Sequence, residues 1–292
     1  MPWWWFQAKI LGRKKPLQTV LFTGDLCTLR CKHCSVYNLK NPRMMSYEEV
    51  GEHLRHSYAR GSRFVDFEGG EVMIWKDGDY RINDLIDLAK KIGFYSATIT
   101  TTAQLPFGDC NADSIWVSLD GVGGCHDKVR GEGAFEKLEK NIALSSHKAV
   151  SFNMAVNTLN WESMEDTIRY AALNKHIKSI SINFHTPFPG TEYLALDKEL
   201  RNKLIDKVIE YKKAGYPIMN SVSGLKRMKD MNFKRDCWVT DFVYPDGTED
   251  LCLGIKDPSI CENCGFCMAG EMYSVFHLKP DTILAGMKLR VI

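Results

Sequence analysis

Residues 18–34 read QTVLFTGDLCTLRCKHC. The segment opens with an apolar, β-branched run from Thr19 to Phe22, which is typical of a buried strand. Directly after this run, Cys27, Cys31 and Cys34 place three thiols within eight residues. Three thiols on one short loop can ligate three irons of a [4Fe–4S] cluster, and the fourth iron then lacks a protein ligand. The segment therefore predicts a strand followed by an iron–sulfur loop with an open coordination position. A structural zinc site is the alternative, with His33 as a crowded fourth ligand.

Strand and helix patterns alternate from this segment to about Asn220. The predicted strands are Thr19–Phe22, Phe64–Phe67, Ser96–Thr101, Ile115–Leu119, Val150–Val156 and Ser179–Phe184. The predicted helices are Ser46–Ala59, Ile82–Ile92, Phe135–Ser145, Met164–Leu173 and Lys198–Lys213. This alternation is typical of βα units around a parallel sheet, and right-handed crossovers roll such units into an open or closed barrel. We therefore predict a partial (β/α)₆ TIM-like barrel over residues 18–222, after an N-terminal extension of residues 1–17.

The spacing C-x₃-C-x₂-C after the first strand resembles the radical S-adenosylmethionine (SAM) superfamily. Gly69-Gly70-Glu71, at the end of the second strand, resembles the segment that binds the methionine amino group in that family. The resemblance implies a [4Fe–4S] cluster that binds SAM at its open iron. It also implies an external one-electron donor of the flavodoxin or ferredoxin type, and cleavage to a 5′-deoxyadenosyl radical that abstracts a substrate hydrogen. Specificity then depends on placing one C–H bond correctly and excluding water.

Further positions agree with this resemblance. It implies that Ser118 and Arg130 contact the ribose or carboxylate of SAM, that Asn153 contacts the ribose, and that His33 approaches the adenine. Glu71 and Arg130 suit the two charges of an amino-acid zwitterion. His185 follows the sixth strand and is a candidate catalytic residue that holds substrate or moves a proton, with a purely structural histidine as the alternative.

The second group of cysteines lies near the end of the sequence. Cys237 and Cys252 flank Pro245-Asp246-Gly247, a turn sequence that predicts a hairpin bringing both thiols together. The motif C-x₂-C-x₂-C then adds three thiols, namely Cys261, Cys264 and Cys267. This pattern resembles the SPASM appendage of radical SAM enzymes or its shortened twitch form. The resemblance implies one auxiliary [4Fe–4S] cluster in a small iron–sulfur subdomain of residues 223–292. Its ligands would be Cys237, Cys252, Cys261 and one or both of Cys264 and Cys267; a zinc site is the alternative.

Composition excludes several classes of protein. The 292 residues are 45% hydrophobic and 25% charged, as in an ordinary globular protein that buries a sizeable core. A net charge of +2 is too weak to indicate nucleic-acid binding. No apolar run reaches the roughly 18 residues of a membrane span, and no secretory leader is recognised. We therefore expect a cytoplasmic protein whose cysteines bind metal rather than form disulfides.

The substrate class follows less directly. Many related enzymes that modify ribosomal peptides carry a peptide-binding domain of roughly 80 residues before the barrel, whereas about 18 residues precede the first strand here. We therefore expect a small metabolite or modified heterocycle, followed by a lipid and then a peptide. The segment Trp3-Trp4-Trp5-Phe6 either lies on a membrane interface or packs on the barrel. A non-catalytic zinc or iron–sulfur module and a simple electron carrier are the alternatives of another class.

Overall fold

A central sheet of eight strands organises the chain. The computed structural model describes residues 2–34, 42–252, 254 and 257–291. Its strands are β1 (Gln18–Phe22), β2 (Phe64–Glu68), β3 (Lys76–Asp77), β4 (Tyr80–Arg81), β5 (Ser96–Thr101), β6 (Ser114–Ser118), β7 (Val150–Val156), β8 (Ser179–Phe184), β9 (Thr240–Val243) and β10 (Glu249–Asp250). The order in the sheet is β10-β9-β1-β2-β5-β6-β7-β8. All neighbours in it pair in parallel except β10, which runs antiparallel to β9, and β3 pairs with β4 apart from it.

Helices connect the strands. They are α1 (Pro2–Lys9), α2 (Tyr47–Arg60), α3 (Ile82–Ile92), α4 (Gly124–Arg130), α5 (Ala134–Leu144), α6 (Met164–Leu173), α7 (Lys198–Lys213), α8 (Val222–Asp230), α9 (Pro258–Glu262), α10 (Met268–Phe276) and α11 (Pro280–Val291). The six predicted strands and five predicted helices are all present, with ends that differ by one residue at most. The start of α2 is a capping box, in which Ser46 Oγ accepts from the Glu49 amide at 3.2 Å and Glu49 accepts from the Ser46 amide at 2.7 Å. The predicted partial barrel is confirmed.

The strands β6 to β8 separate an apolar face from a polar one. Side chains such as Val117, Phe152 and Ile182 are fully buried in one core that also contains helix residues, so this face packs under the helices. The alternate positions, including Ser118, Asn153 and Asn183, are half-buried. Because side chains alternate across a strand, these polar groups line the opposite, inner face of the barrel.

The C-terminal region is more regular than its sequence indicates. The predicted hairpin is present as β9 and β10, with Gly247 at φ 84° in the turn, and it extends the main sheet beside β1. The helices α8 to α11 were not predicted, because their buried positions include small residues that form no apolar stripe. Gly270 lies against α8 so closely that a Cβ there would stand 2.4 Å from the Gly224 oxygen. The close approach is accompanied by hydrogen bonds from the Ser221 amide and hydroxyl, at the start of α8, to the Glu271 carboxylate on α10, at 2.8 and 2.6 Å.

The tryptophan-rich N-terminus packs against this C-terminal region. Trp4 lies 5.7 Å, between ring centroids, from both Trp238 and Phe276, and its indole donates to the Lys15 carbonyl at 2.9 Å. Trp5 and Leu17 pack against the same small cluster. Trp4 and Trp5 therefore pack within the protein, but against the C-terminal region and not on the barrel, whereas Trp3 and Phe6 are exposed. Within the described part of the chain, no helix combines the length and apolar character that a membrane span requires.

Candidate active site

The cysteine loop and the loop after β2 are tied together through their backbones. The Gly70 amide donates to the Gly24 carbonyl and the Glu71 amide to the Leu26 carbonyl, each at 2.8 Å. A Cβ on Gly70 would stand 2.0 Å from the Leu26 oxygen. A Cβ on Gly69, which has φ +151°, would stand 2.6 Å from the Gly24 oxygen. Because only glycine fits at these distances, the Gly-Gly pair allows the two sequence motifs to form one structure.

One arginine, Arg130, interacts electrostatically with all three thiols of the loop. Arg130 Nη1 lies 3.8 Å from the Cys31 sulfur, and the thiols of Cys31 and Cys34 both raise the pKa of this arginine against the effect of its burial. Burial also raises the pKa of the Cys27 and Cys31 thiols, while Arg130 acts to lower both. Cys27 and Cys31 in turn interact with each other electrostatically. The structure thus brings the three predicted thiols and Arg130 into one place.

A buried carboxylate holds Arg130 in position. Asp120 Oδ2 accepts from Arg130 Nε at 2.7 Å, and the Asp120 side chain is fully buried. Asp120 Oδ1 accepts from the Ala155 amide at 2.9 Å. Burial raises the pKa of Asp120, but Arg130, His33 and His126 outweigh it, so the pKa lies below its usual range. Asp120 was not among the predicted site residues, although its place directly after β6 at the carboxyl edge of the sheet was a usable signal.

His33 contributes an unsatisfied polar atom to the site. Its Nε2 lies 3.6 Å from Asp120 Oδ2, and burial lowers the pKa of the imidazole to about 4. The ring is therefore neutral at pH 7. Its Nδ1 is buried and has no hydrogen-bond partner among the described residues. A buried ring nitrogen in this state is suited to a hydrogen bond from a bound ligand.

The carboxylate of Glu71 is engaged within the protein. Its carboxylate accepts hydrogen bonds from the Thr101 hydroxyl at 2.6 Å, the Thr102 amide at 2.8 Å, the Met73 amide at 3.1 Å and the Thr102 hydroxyl. An ionised carboxylate offers about four acceptor positions, and these four bonds occupy them. Glu71 therefore joins the end of β5 to the loop that follows β2, and its role toward SAM stays a prediction.

Polar groups on the inner face link the barrel to the C-terminal region. Asn153 on β7 stands opposite Ser118 on β6, and Asn153 Oδ1 accepts from Asn183 Nδ2 at 2.8 Å. Asn183 Oδ1 in turn accepts from the Cys267 amide at 2.9 Å. The structure thus places two predicted SAM-binding residues on neighbouring strands and connects them to α10. Asn183 was missed, although the alternation Ser179, Ser181, Asn183 along β8 marks one polar face.

Two further groups on the barrel strands were missed. Burial raises the pKa of Glu68, at the end of β2, to about 8, and neighbouring Asp66 adds to the effect. Glu68 therefore carries a proton at neutral pH. The Tyr244 hydroxyl, whose ring stacks on Phe22 at 5.2 Å, is buried without a hydrogen-bond partner among the described residues. Burial also raises the pKa of Tyr244, so its hydroxyl is a hydrogen-bonding group rather than a proton donor in catalysis. No sequence motif distinguishes either group from ordinary strand and turn residues.

His185 is a structural contact at the edge of the site. Its Nε2 lies 2.9 Å from the Thr191 carbonyl oxygen and 3.0 Å from the Thr191 hydroxyl, so the ring fastens the loop after β8. Burial lowers its pKa, and both Asp120 and His33 interact with it electrostatically. The structure therefore brings His185 near the site but engages one of its ring nitrogens within the protein.

Four C-terminal thiols converge from separate segments. Burial, together with the nearby thiols of Cys264, Cys252 and Cys261, raises the pKa of Cys237 to about 12. The thiol of Cys261 also acts to raise the pKa of Cys252. The backbone of Gly254 contacts both of these sulfurs at 3.3 Å. Cys264 interacts with Cys252 and Cys261 as well. These four side chains form a group that we call the C-terminal thiol cluster.

Cys267 differs from the other four. Its side chain is only 1% exposed, and the groups that act on its pKa are Glu271, Cys264 and Arg201. Burial raises that pKa strongly, so the thiol is neutral. Among the described residues, no three His, Cys, Asp or Glu side chains are close enough to hold one metal ion together.

Known proteins resemble this chain in sequence and fold. A probable GTP 3′,8-cyclase from Methanococcus maripaludis strain C7 is 23% identical over 265 residues, covering 87% of this chain and 80% of that protein. The strain C5 protein of the same name is 23% identical over 250 residues, covering 82% of this chain and 76% of that protein.

Two solved structures share the fold. Streptococcus suis SuiB bound to S-adenosylmethionine superposes with a TM-score of 0.65 at 17% identity, covering 84% of this chain and 62% of SuiB. The chain thus spans less than two thirds of the length of SuiB. The protein anSMEcpe with bound AdoMet and Kp18Cys peptide gives a TM-score of 0.64 at 14% identity, covering 94% of this chain and 84% of that one.

A family model provides the assignment. Residues 21–171, from within β1 to near the end of α6, match the model of the radical SAM superfamily. The match contains the cysteine loop, the Gly-Gly-Glu segment and the Asp120–Arg130 pair. The chain therefore belongs to the radical SAM superfamily of enzymes.

Proposed function

We propose that Cys27, Cys31 and Cys34 hold a [4Fe–4S] cluster at which this chain binds and reductively cleaves SAM. The observation that carries this proposal is the position of the buried Asp120–Arg130 pair against the three thiols. When bound, the cluster would supply one electron, received from a flavodoxin- or ferredoxin-type donor, to the sulfonium. Desolvated thiols beside a guanidinium fit such a group, because a bound metal deprotonates its thiol ligands and the positive charge offsets the thiolates.

The surrounding side chains have separate roles in this proposal. Arg130 binds the carboxylate of SAM, and His33 Nδ1 accepts a hydrogen bond from the adenine amino group. Ser118 and Asn153 contact the ribose from two neighbouring strands. Glu71, whose acceptor positions are filled, is a positioning residue that holds the loop against the cysteines.

A purine nucleotide is the substrate class that the relatives favour. The proteins named probable GTP 3′,8-cyclase align with most of this chain and over 76–80% of their own lengths. A nucleotide is a small metabolite with a heterocycle, which is the class expected from the sequence. The half-buried polar groups on the inner face and the protonated Glu68 provide hydrogen-bonding partners for a base or ribose.

The experiment is an anaerobic assay of the reconstituted, reduced protein with SAM and GTP. We expect 5′-deoxyadenosine to form only with reductant, and GTP to accelerate it while being consumed. Guanosine, which lacks the triphosphate, tests whether the phosphates are needed. ATP, which carries another base, tests whether guanine is needed. Zinc without labile sulfide in protein purified under strict anaerobiosis would reject the enzyme proposal. If GTP neither accelerates the cleavage of SAM nor is consumed during it, the proposal of a nucleotide substrate is rejected.

The C-terminal thiol cluster is the proposed site of one auxiliary [4Fe–4S] cluster. Its four thiols match the four irons of a cube, which would leave no open iron for substrate. Cys267 interacts with only one of them, and its amide is engaged by Asn183. We therefore assign Cys264, and not Cys267, as the fourth ligand beside Cys237, Cys252 and Cys261.

Two cysteine variants test this ligand set. Cys252→Ala should lower the iron content from about eight to about four atoms per chain, because one cube is lost and the other stays. Cys267→Ala should keep about eight atoms, since it removes a neutral packing thiol. Iron and labile sulfide analysis after anaerobic reconstitution measures both. Full iron in Cys252→Ala, or the loss of half in Cys267→Ala, would show that the assignment is wrong.

A further inference from the structure

Arg201, on α7, is a buried cation without an anionic partner among the described residues. The residue is 8% exposed, and its Nε is buried without a hydrogen-bond partner there. Burial lowers the pKa of Arg201; the thiols of Cys267 and Cys264 raise it and Arg235 lowers it. None of these groups is a carboxylate. Because a guanidinium stays charged in proteins, leaving it buried and unpaired is costly, and an anion from outside the chain would offset that cost.

The side chain borders a cavity of about 300 Å³ between the barrel and the C-terminal region. The end of β8, the turn near residue 195 and the helix α9 form its walls. Two other polar wall residues, Ser259 and Asn263, are exposed and make local hydrogen bonds: Ser259 Oγ donates to Asp257 at 2.7 Å and Asn263 donates to the Ser259 carbonyl at 3.0 Å. Glu192, the acid of the wall, is exposed to solvent. Arg201 is therefore the buried cation of these walls, and its Nε is a donor without a partner among the described residues.

The cavity adjoins the candidate active site. His185 lies on its wall, and the same ring interacts electrostatically with His33 and Asp120. A molecule held on the inner face of the barrel can therefore extend past His185 toward Arg201. The volume is at the lower end for small-molecule sites, which suits one arm of a ligand better than a whole nucleotide.

We propose that this cavity is a subsite for the phosphate groups of the substrate and that Arg201 binds them. The planar guanidinium offers paired N–H donors that match two phosphate oxygens, and the buried setting strengthens the interaction. The proposal rests on the proposed nucleotide function and extends it, because it assigns the residue that recognises the phosphate chain.

The test compares GTP and guanosine binding to the reconstituted protein by calorimetry. In Arg201→Gln, we expect GTP to bind about 10- to 100-fold more weakly, because a charge-assisted contact is lost, while guanosine binds as to wild type. Arg201→Lys should recover part of the affinity, since it keeps the charge but not the paired donors. The matched control is Arg235→Gln. Arg235 is half-buried and, like Arg201, interacts electrostatically with the Cys264 thiol, but it borders a different cleft. It should leave the affinity for GTP unchanged.

Inorganic triphosphate is the second probe. It should raise the melting temperature of wild type but not of Arg201→Gln. If it does so while neither GTP nor guanosine binds, the subsite stands and the nucleotide proposal fails. The subsite proposal is overturned if triphosphate has no effect on wild type, or if Arg201→Gln weakens GTP and guanosine equally. It is also overturned if Arg201→Gln keeps its affinity for GTP and only shifts the midpoint potential of the auxiliary cluster, since Arg201 would then be a countercharge to that cluster.

Discussion

Cys31→Ala is expected to reduce 5′-deoxyadenosine formation from SAM to the level of the reaction without protein. Cys31 is the thiol that contacts Arg130, and in the sequence it lies between the other two proposed ligands, Cys27 and Cys34. Two remaining thiols would leave a second iron without a protein ligand, so the N-terminal cluster would not be retained. Iron should fall from about eight to about four atoms per chain. Anaerobic product analysis and iron assays measure the two effects.

Cys125→Ala is the matched control for this prediction. Cys125 is a half-buried thiol outside both cysteine groups. Its removal should leave iron content and SAM cleavage at wild-type levels. Persistent cleavage in Cys31→Ala, or an equal loss in Cys125→Ala, would contradict the assignment of the loop as the site of radical generation.

Asp120→Ala is expected to lower the free energy of unfolding by about 3–5 kcal/mol, because it leaves the buried Arg130 without its partner. The two side chains meet at 2.7 Å with side-chain exposures of 0% and 8%. Without this contact Arg130 is not fixed beside Cys31, so SAM affinity should fall as well. Urea unfolding of the iron-free protein measures the stability, and equilibrium binding to the reconstituted protein measures the affinity.

Two variants separate the buried pair from a general loss of charge. Glu199→Ala removes an exposed ion pair with Lys203, at 2.8 Å, and should change stability by less than about 1 kcal/mol. Asp120→Asn keeps the shape and one acceptor, and should be less destabilising than Asp120→Ala. If Asp120→Ala is as stable as Glu199→Ala, the pair does not have the structural role that its burial indicates.

The strands and helices of the barrel were predictable because each has a local pattern. The β-branched runs of β1, β5 and β7 and the capping box at Ser46 are read from neighbouring residues. The placement of the cysteine loop and of Gly69-Gly70-Glu71 after successive strands was predicted, whereas the backbone hydrogen bonds between the two loops were not. Helices α8 and α10 were not predicted. Gly224 and Gly270 allow the backbones of these two helices to approach each other closely, and small residues leave no apolar pattern in the sequence.

The chemical nature of the site follows from residue order alone, since three thiols on one loop stay together however the rest of the chain folds. The partnerships among distant residues were decided only by folding. Asp120, after β6, meets Arg130 at the end of α4. Four thiols converge from separate C-terminal segments. Arg201 borders a cavity whose opposite wall comes from α9. Electrostatic effects and burial depend on distances in space, so the role of a charged side chain is set by neighbours that the sequence does not place beside it.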